Sequence, residues 1–233
     1  MINVGTTREI RENLVDIKGR VLYLFDIDNT IITTKSNFGE KIDELKSIKE
    51  THSQRREYID DLISSWRLTR EVLLTDSEWP SFLQSIDSPY ALTKMDVGRF
   101  SKIDSMENWR NNELDKLNIQ FTKVYPIDGE IYSSPKEIGI ENATFFNGIF
   151  YVGNASKGAI VKEILTYNKY DHIVFVDDRI DQLEDVGRSC RALDVKYLPM
   201  QFVIEKKDHS IQSLDEIECE KDIMKFLKLN SKV

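Results

Sequence analysis

Apolar positions along this chain follow two rhythms. Val21-Leu22-Tyr23-Leu24 and His172-Ile173-Val174-Phe175-Val176 are short runs with little polar interruption. Runs of that length suit strands buried on both faces of a parallel sheet. Tyr90-Ala91-Leu92-Thr93 and Val195 to Leu198 read the same way, and Asn118-Ile119-Gln120-Phe121 re-enters the sheet region. Between the runs, apolar residues recur at helical spacing. Ile10, Leu14 and Ile17 follow a capping box at Thr6-Thr7-Arg8-Glu9. Thr75-Asp76-Ser77 can cap a short helix through Gln84. A helix from Ser101 to Leu117 has Met106, Trp109 and Leu114 as its inner face. Further helices span Ser156 to Thr166, Gln182 to Leu193 and about Ser213 to Leu229. The last of these carries Leu214, Ile217, Ile223, Phe226 and Leu227.

Two stretches break the alternation. Ala143-Thr144-Phe145-Phe146 and Ile149-Phe150-Tyr151-Val152 flank Asn147-Gly148, which predicts a β-hairpin. Residues 124–142 before it read as loop. Residues 35–70 carry a first helical stripe at Ile42, Leu45 and Ile48. A broader one follows at Tyr58, Ile59, Leu62, Ile63 and Trp66. That length is about twice an ordinary crossover. It predicts a helical cap insertion over the site, set into a core of residues 1–34 and 71–233. Strands alternating with helices predict an α/β fold: a Rossmann-like parallel sheet with helices on both faces.

Composition narrows the class. The 233 residues are 40% hydrophobic and 31% charged, enough for one sizeable globular core, or for one core plus a small lobe. No apolar segment approaches the ~20 residues that span a membrane, so no transmembrane segment is expected. Met1 to Lys18 lacks a signal peptide's apolar core. The net charge of −8 argues against nucleic acid as a partner. Cys190 and Cys219 form neither a metal spacing nor a disulfide framework, which fits a reducing, cytoplasmic setting. Neither has the surroundings of an activated thiolate. His52, His172 and His209 are dispersed. Lys228 to Val233 stop without a clear cap, as a piece of a longer protein would.

The chemistry gathers at strand ends. Asp26 and Asp28 directly follow the first long run, in Phe25-Asp26-Ile27-Asp28-Asn29-Thr30. Taken alone, this is a divalent-cation or phosphate site, or a solvated Asp-rich loop. Thr93 ends a second run, Asp177 and Asp178 end another, and Lys157 sits at a helix start. In an open parallel sheet the carboxyl ends of the strands converge on one edge, where such folds bind ligands. Acid pairs, a hydroxyl and a lysine there suit a phosphoryl group and a hard divalent cation such as magnesium.

The order Asp26-x-Asp28, Thr93, Lys157, Asp177-Asp178 resembles the haloacid dehalogenase (HAD) superfamily. The likeness runs from Val21 to about Pro199. More narrowly, the chain resembles an uncharacterised HAD-like branch of bacterial proteins from intracellular pathogens. The shared features are the N-terminal helix, Asp26-Ile27-Asp28-Asn29-Thr30, the hairpin before Lys157, and Val176-Asp177-Asp178. One departure is Lys94, where many relatives carry a small hydroxyl residue followed by arginine.

The resemblance implies a magnesium-dependent phosphatase. Asp26 would be the nucleophile that forms an aspartyl-phosphate, and Asp28 the acid and then the base. Magnesium would meet Asp26, the backbone carbonyl of Asp28, and Asp178, with Asp177 a ligand or a partner of one. Thr93 and Lys157 would hold the phosphoryl oxygens, and Lys94 faces either substrate or solvent. The modest cap points to an open site for a phosphorylated protein, with phosphotyrosine leading. A small phosphometabolite and a non-catalytic HAD-fold binding protein are the alternatives. Delivery into a host cell without a recognisable signal is compatible with this branch.

Overall fold

The computed structural model describes residues 1–35, 38–51, 53–204 and 214–230. His52, His209, Ser213 and the residues after Asn230 lie outside them. With strands and helices numbered in chain order, the described residues form one eight-stranded sheet and a two-stranded ribbon. The sheet order is β1 (Ile2–Val4), β10 (Lys196–Phe202), β9 (His172–Asp177), β2 (Val21–Phe25), β5 (Pro89–Thr93), β8 (Ile149–Tyr151), β7 (Thr144–Phe146) and β6 (Lys136–Glu137). Every pairing from β1 to β8 is parallel. The β8–β7 and β7–β6 pairings are antiparallel. The chain is an α/β protein with a mostly parallel central sheet of Rossmann-like type.

Helices cover both faces of the sheet. Alternate residues of β2 point to opposite sides. Leu22 and Leu24 join a core with Leu92, Phe150 and Phe175. That core is closed by Ile160, Val161 and Ile164 of α6 (Lys157–Tyr167) and by Leu183, Val186 and Cys190 of α7 (Ile180–Ala192). On the other face Phe25 meets Trp79 and Phe82 of α4 (Trp79–Ser85) edge-on, at centroid distances of 5.8 and 5.9 Å. Burying three such rings contributes several kcal/mol. The N-terminal helix α1 (Thr7–Leu14) has Thr6 as its cap, accepting from the Glu9 amide at 3.2 Å. The Glu9 carboxylate reaches back to the Gly5 amide, which closes the capping box one residue early.

The Asn147-Gly148 turn has φ of 50° and 81°. Two left-handed residues give the turn type that matches strand twist. The hairpin it closes delivers β8 parallel to β5. A Cβ at position 148 would lie 2.5 Å from Phe121 Cβ, so glycine is needed for space as well as for conformation.

Three expectations change. Asn118 to Phe121 forms no strand, although Ile119 and Phe121 are buried in alternation. The Ala91 amide donates to Gly148 O, so the place beside β5 belongs to β8. The helix expected from Ser101 is α5 (Met106–Asp115), preceded by a Phe100–Ile103 turn. On α5 Trp109 is only half-buried while Arg110 is turned inward. The three-residue strand β1 adds an edge that its length hid from the pattern.

The chain divides into two compact units. The first takes Met1–Thr33, Leu74–Val97 and Glu107–Glu205 and holds the sheet. The second draws on Thr34–Leu73, Gly98–Met106 and Lys206–Val233. It is helical: α2 (Gly39–Thr51), a 3₁₀ turn (Ser53–Arg55), α3 (Arg56–Thr69) and α8 (Leu214–Asn230). Its core joins Ile42, Leu45, Ile59, Ile63 and Trp66 to Ile223 and Leu227. The ribbon of β3 (Ile32–Thr34) and β4 (Val72–Leu74) forms where the chain leaves the first unit and returns. None of the described helices is long and apolar enough to cross a membrane.

Candidate active site

Five parallel strands read β8-β5-β2-β9-β10 across the sheet. After β2 the chain builds outward to β5 and β8, then returns to the other side of β2 for β9 and β10. The order therefore reverses between β2 and β9. A crevice outside the carboxyl ends of the strands forms at such a reversal, and it is where these folds bind ligands.

Register decides which residues meet there. Phe25 stands opposite Val176 on one side and Ala91 on the other. The Asp26 amide continues the ladder by donating to Val176 O at 2.9 Å. Asp26 thus emerges level with Asp177, and Thr93 two residues past the Ala91 pairing. Beyond Asp26 the chain curls on itself. Three amides, those of Thr30, Ile31 and Ile32, point at Ile27 O at 3.3, 2.9 and 3.0 Å. Asn29 adopts φ of 60°, a conformation asparagine tolerates. Ile27 is fully buried and anchors this loop, with Asp26 and Asp28 on either side of it.

Lys157 arrives from α6. Ser156 caps that helix by accepting from the Ala159 amide at 3.1 Å. Gly158 lets α6 approach α7 closely. Its amide donates to Asp185 Oδ2 at 2.6 Å, and its carbonyl accepts from Ser189 Oγ at 2.8 Å. A Cβ there would lie 2.7 Å from Asp185 O. So placed, the buried Lys157 Nζ donates to Asp26 Oδ1 at 2.5 Å and to Asp177 Oδ2 at 2.7 Å. The other oxygen of Asp177 accepts from the Arg179 amide at 2.8 Å, at the start of α7.

Asp26, Asp177 and Asp178 each offer a carboxylate oxygen within 4.8 Å of the others. Three carboxylates face one ammonium, and two of them are almost fully buried. Burial, reinforced by Asp177 and Asp28 and opposed by Lys157, pushes Asp26 up to about 7. Burial and then the neighbouring Asp26 push Asp178 up to about 6. Asp177 is also raised, by burial. Burial alone would lower Lys157, yet Asp26 and Asp177 outweigh it and hold it above the ordinary lysine value. The cluster therefore carries more negative charge than its lysine balances. Hard oxygen donors in that excess fit a divalent cation of the magnesium kind.

The remaining sequence candidates scatter around this centre. Thr93 is buried at the end of β5. Lys94 is exposed and makes no hydrogen bond or ion pair among the described residues. Arg179 pairs with Asp181 at the surface, at 3.0 and 2.9 Å. Thr30 is buried, and its hydroxyl has no hydrogen-bond partner among the described residues. Cys190 is buried and its thiol is pushed up to about 12, away from thiolate chemistry. Asp28 is half-open, with 44% of its side chain exposed, and Oδ2 accepts from Arg110 Nη2 at 2.6 Å. Sequence reasoning missed Arg110. Its spacing from Met106 and Leu114 places it on the buried stripe of α5, and that was the available signal.

A protein of Rickettsia prowazekii carried as "Uncharacterized protein RP296" is 25% identical over 209 residues. The match covers 83% of this chain and 73% of that one. Residues 3–232 match a family described as "Protein of unknown function (DUF2608)". That match includes every acid, hydroxyl and lysine of the cluster, and the chain belongs to the DUF2608 family.

Proposed function

We propose that this chain is a magnesium-dependent phosphatase of the HAD type, acting through an aspartyl-phosphate at Asp26. One observation carries the reading: a buried lysine bridges two aspartates at the reversal point of the sheet, with a third carboxylate within 4.8 Å. A structural ion pair needs one acid. The surplus acids favour a site that awaits a cation and an anionic substrate together.

In this reading the cluster divides the roles as the HAD resemblance implies. Lys157 holds one oxygen of Asp26, leaving the other for in-line attack on phosphorus. Asp28 gives a proton to the leaving oxygen and later takes one from water. Thr93 and Lys157 steady the phosphoryl oxygens. Magnesium held by Asp26, Asp178, Asp177 and the Asp28 carbonyl would supply the positive charge that phosphoryl transfer needs. Phosphotyrosine in a protein is the leading substrate. This rests on residues 124–155, which add a hairpin rather than a second helical insertion.

The test is turnover of para-nitrophenyl phosphate, phosphopeptides and small phosphometabolites, with magnesium and with chelator. Magnesium-dependent hydrolysis led by phosphotyrosine peptides is the expected result. No turnover of any ester with magnesium, manganese or cobalt overturns the phosphatase. A sugar phosphate or nucleotide turned over far better than any peptide overturns the substrate class alone.

A further inference from the structure

We infer that Arg110 is a positioning residue that fixes the carboxylate of Asp28 in the orientation that proton transfer needs. The inference rests on the proposed phosphatase reading.

Helix α5, ten residues long, buries three charged side chains. Glu107, Arg110 and Glu113 are 1%, 2% and 7% exposed. Buried charges are retained only where partners meet them. Glu107 accepts from Thr144 Oγ1 at 3.1 Å. Arg110 Nη1 donates to Glu113 Oε2 at 2.8 Å, which fixes one prong of the guanidinium. Its second prong, Nη2, reaches Asp28 Oδ2 at 2.6 Å. The ring of Trp109 lies 5.0 Å from the guanidinium carbon.

The pair with Glu113 already anchors Arg110. The reach to Asp28 goes beyond that need, because Asp28 lies on a loop and is half-open to solvent. A half-open carboxylate rotates among several rotamers. One oxygen held by a rigid guanidinium narrows that freedom. Oδ2 is the oxygen that Arg110 engages, and this contact sets the plane in which the carboxyl group meets the leaving oxygen.

An Asp26 oxygen forms a bond to phosphorus while the ester P–O bond breaks. The leaving oxygen keeps the electron pair and takes a proton from Asp28. Water then attacks phosphorus, gives its proton to Asp28, and Asp26 departs with its oxygen and electron pair. Only the first half-reaction depends on the leaving group, and kcat/KM reports it alone. A good leaving phenolate needs little help from the acid, and a poor one needs much.

The experiment compares kcat/KM for a series of ring-substituted phenyl phosphates, in wild type, Arg110→Met, Arg110→Lys and Glu113→Gln. The ratio of phenyl to para-nitrophenyl phosphate is measured on one preparation, so it does not depend on the fraction folded. In Arg110→Met the ratio falls about 10-fold, part of the 10²–10⁴ that a general acid supplies. Arg110→Lys, which keeps a cation in reach of Asp28, falls between the two. Glu113→Gln, which loosens the anchor, shifts the ratio in the same direction by less. An active wild type with an unchanged ratio in Arg110→Met overturns this inference and leaves the phosphatase standing. A wild type that hydrolyses neither ester overturns the phosphatase, and this inference with it.

Discussion

Replacing Asp26 by asparagine is expected to stabilise the metal-free protein while ending its chemistry. Asp26 is almost fully buried with two further carboxylates nearby, and its pKa rises from 3.8 to about 7. A raised carboxylate pKa means that the folded state binds the proton more tightly than the unfolded state. The charged form then opposes folding above about pH 7, and the penalty fades as pH falls towards 3.8. At ~1.4 kcal/mol per pKa unit the penalty is about 4 kcal/mol near pH 8 and well under ~1 kcal/mol near pH 4. Asparagine keeps the shape without the charge, and Lys157 keeps Asp177 as its partner. For a chain of this size about 4 kcal/mol corresponds to roughly 10 °C in Tm. Thermal melts followed by circular dichroism in chelator, from pH 4 to pH 8, read the difference directly. The gap between Asp26→Asn and wild type should open as pH rises, and magnesium should narrow it by stabilising wild type more. An asparagine variant that melts no higher than wild type near pH 8, or a gap indifferent to pH, refutes the reasoning.

Other substitutions separate the parts of the site. Lys157→Met leaves Asp26 and Asp177 without their ammonium. It should cost about 3–5 kcal/mol near pH 8 by denaturant unfolding, and less near pH 5 where the acids take up protons. Asp28→Asn keeps the backbone carbonyl, so titration calorimetry should find magnesium affinity retained while turnover falls by roughly 10²–10⁴. Loss of metal binding in that variant would contradict the assigned role. Gly158→Ala puts a methyl 2.7 Å from Asp185 O and must push α6 from α7. A loss of about 1–3 kcal/mol is expected, with kcat reduced because Lys157 moves.

Some of this structure could be read from the chain and some could not, for physical reasons. Strands such as β2 and β9 declare themselves because a strand covered on both faces has no reason for polar interruption. The meeting of Asp26, Lys157, Asp177 and Asp178 follows from a sheet rule, since parallel strands end on one edge. The hairpin announces itself through Asn147-Gly148, whose conformation few other pairs accept. Asn118 to Phe121 misled because alternation records burial rather than pairing, and β8 had the neighbouring position. Arg110 hid because a charge within Glu107-x-x-Arg110-x-x-Glu113 reads as solvated surface. Its spacing from Met106 and Leu114 was the one signal of burial, and its distant partner is Asp28. The joining of α8 to α2 and α3 depends on contacts between distant parts of the chain, to which local periodicity is blind.

That joining has a consequence for synthesis. Ile42, Leu45, Ile59, Ile63 and Trp66 leave the ribosome long before Ile223 and Leu227, the residues that complete their core. Local helices form in about a microsecond, but this core must wait for sequence-distant partners, and such closure is slow. During translation α2 and α3 present an apolar stripe with nothing to cover it, the kind of surface that chaperones hold and that aggregates when they do not. The helical unit is therefore the part of the nascent chain most exposed to misassembly, and α8 sets the moment at which that exposure ends.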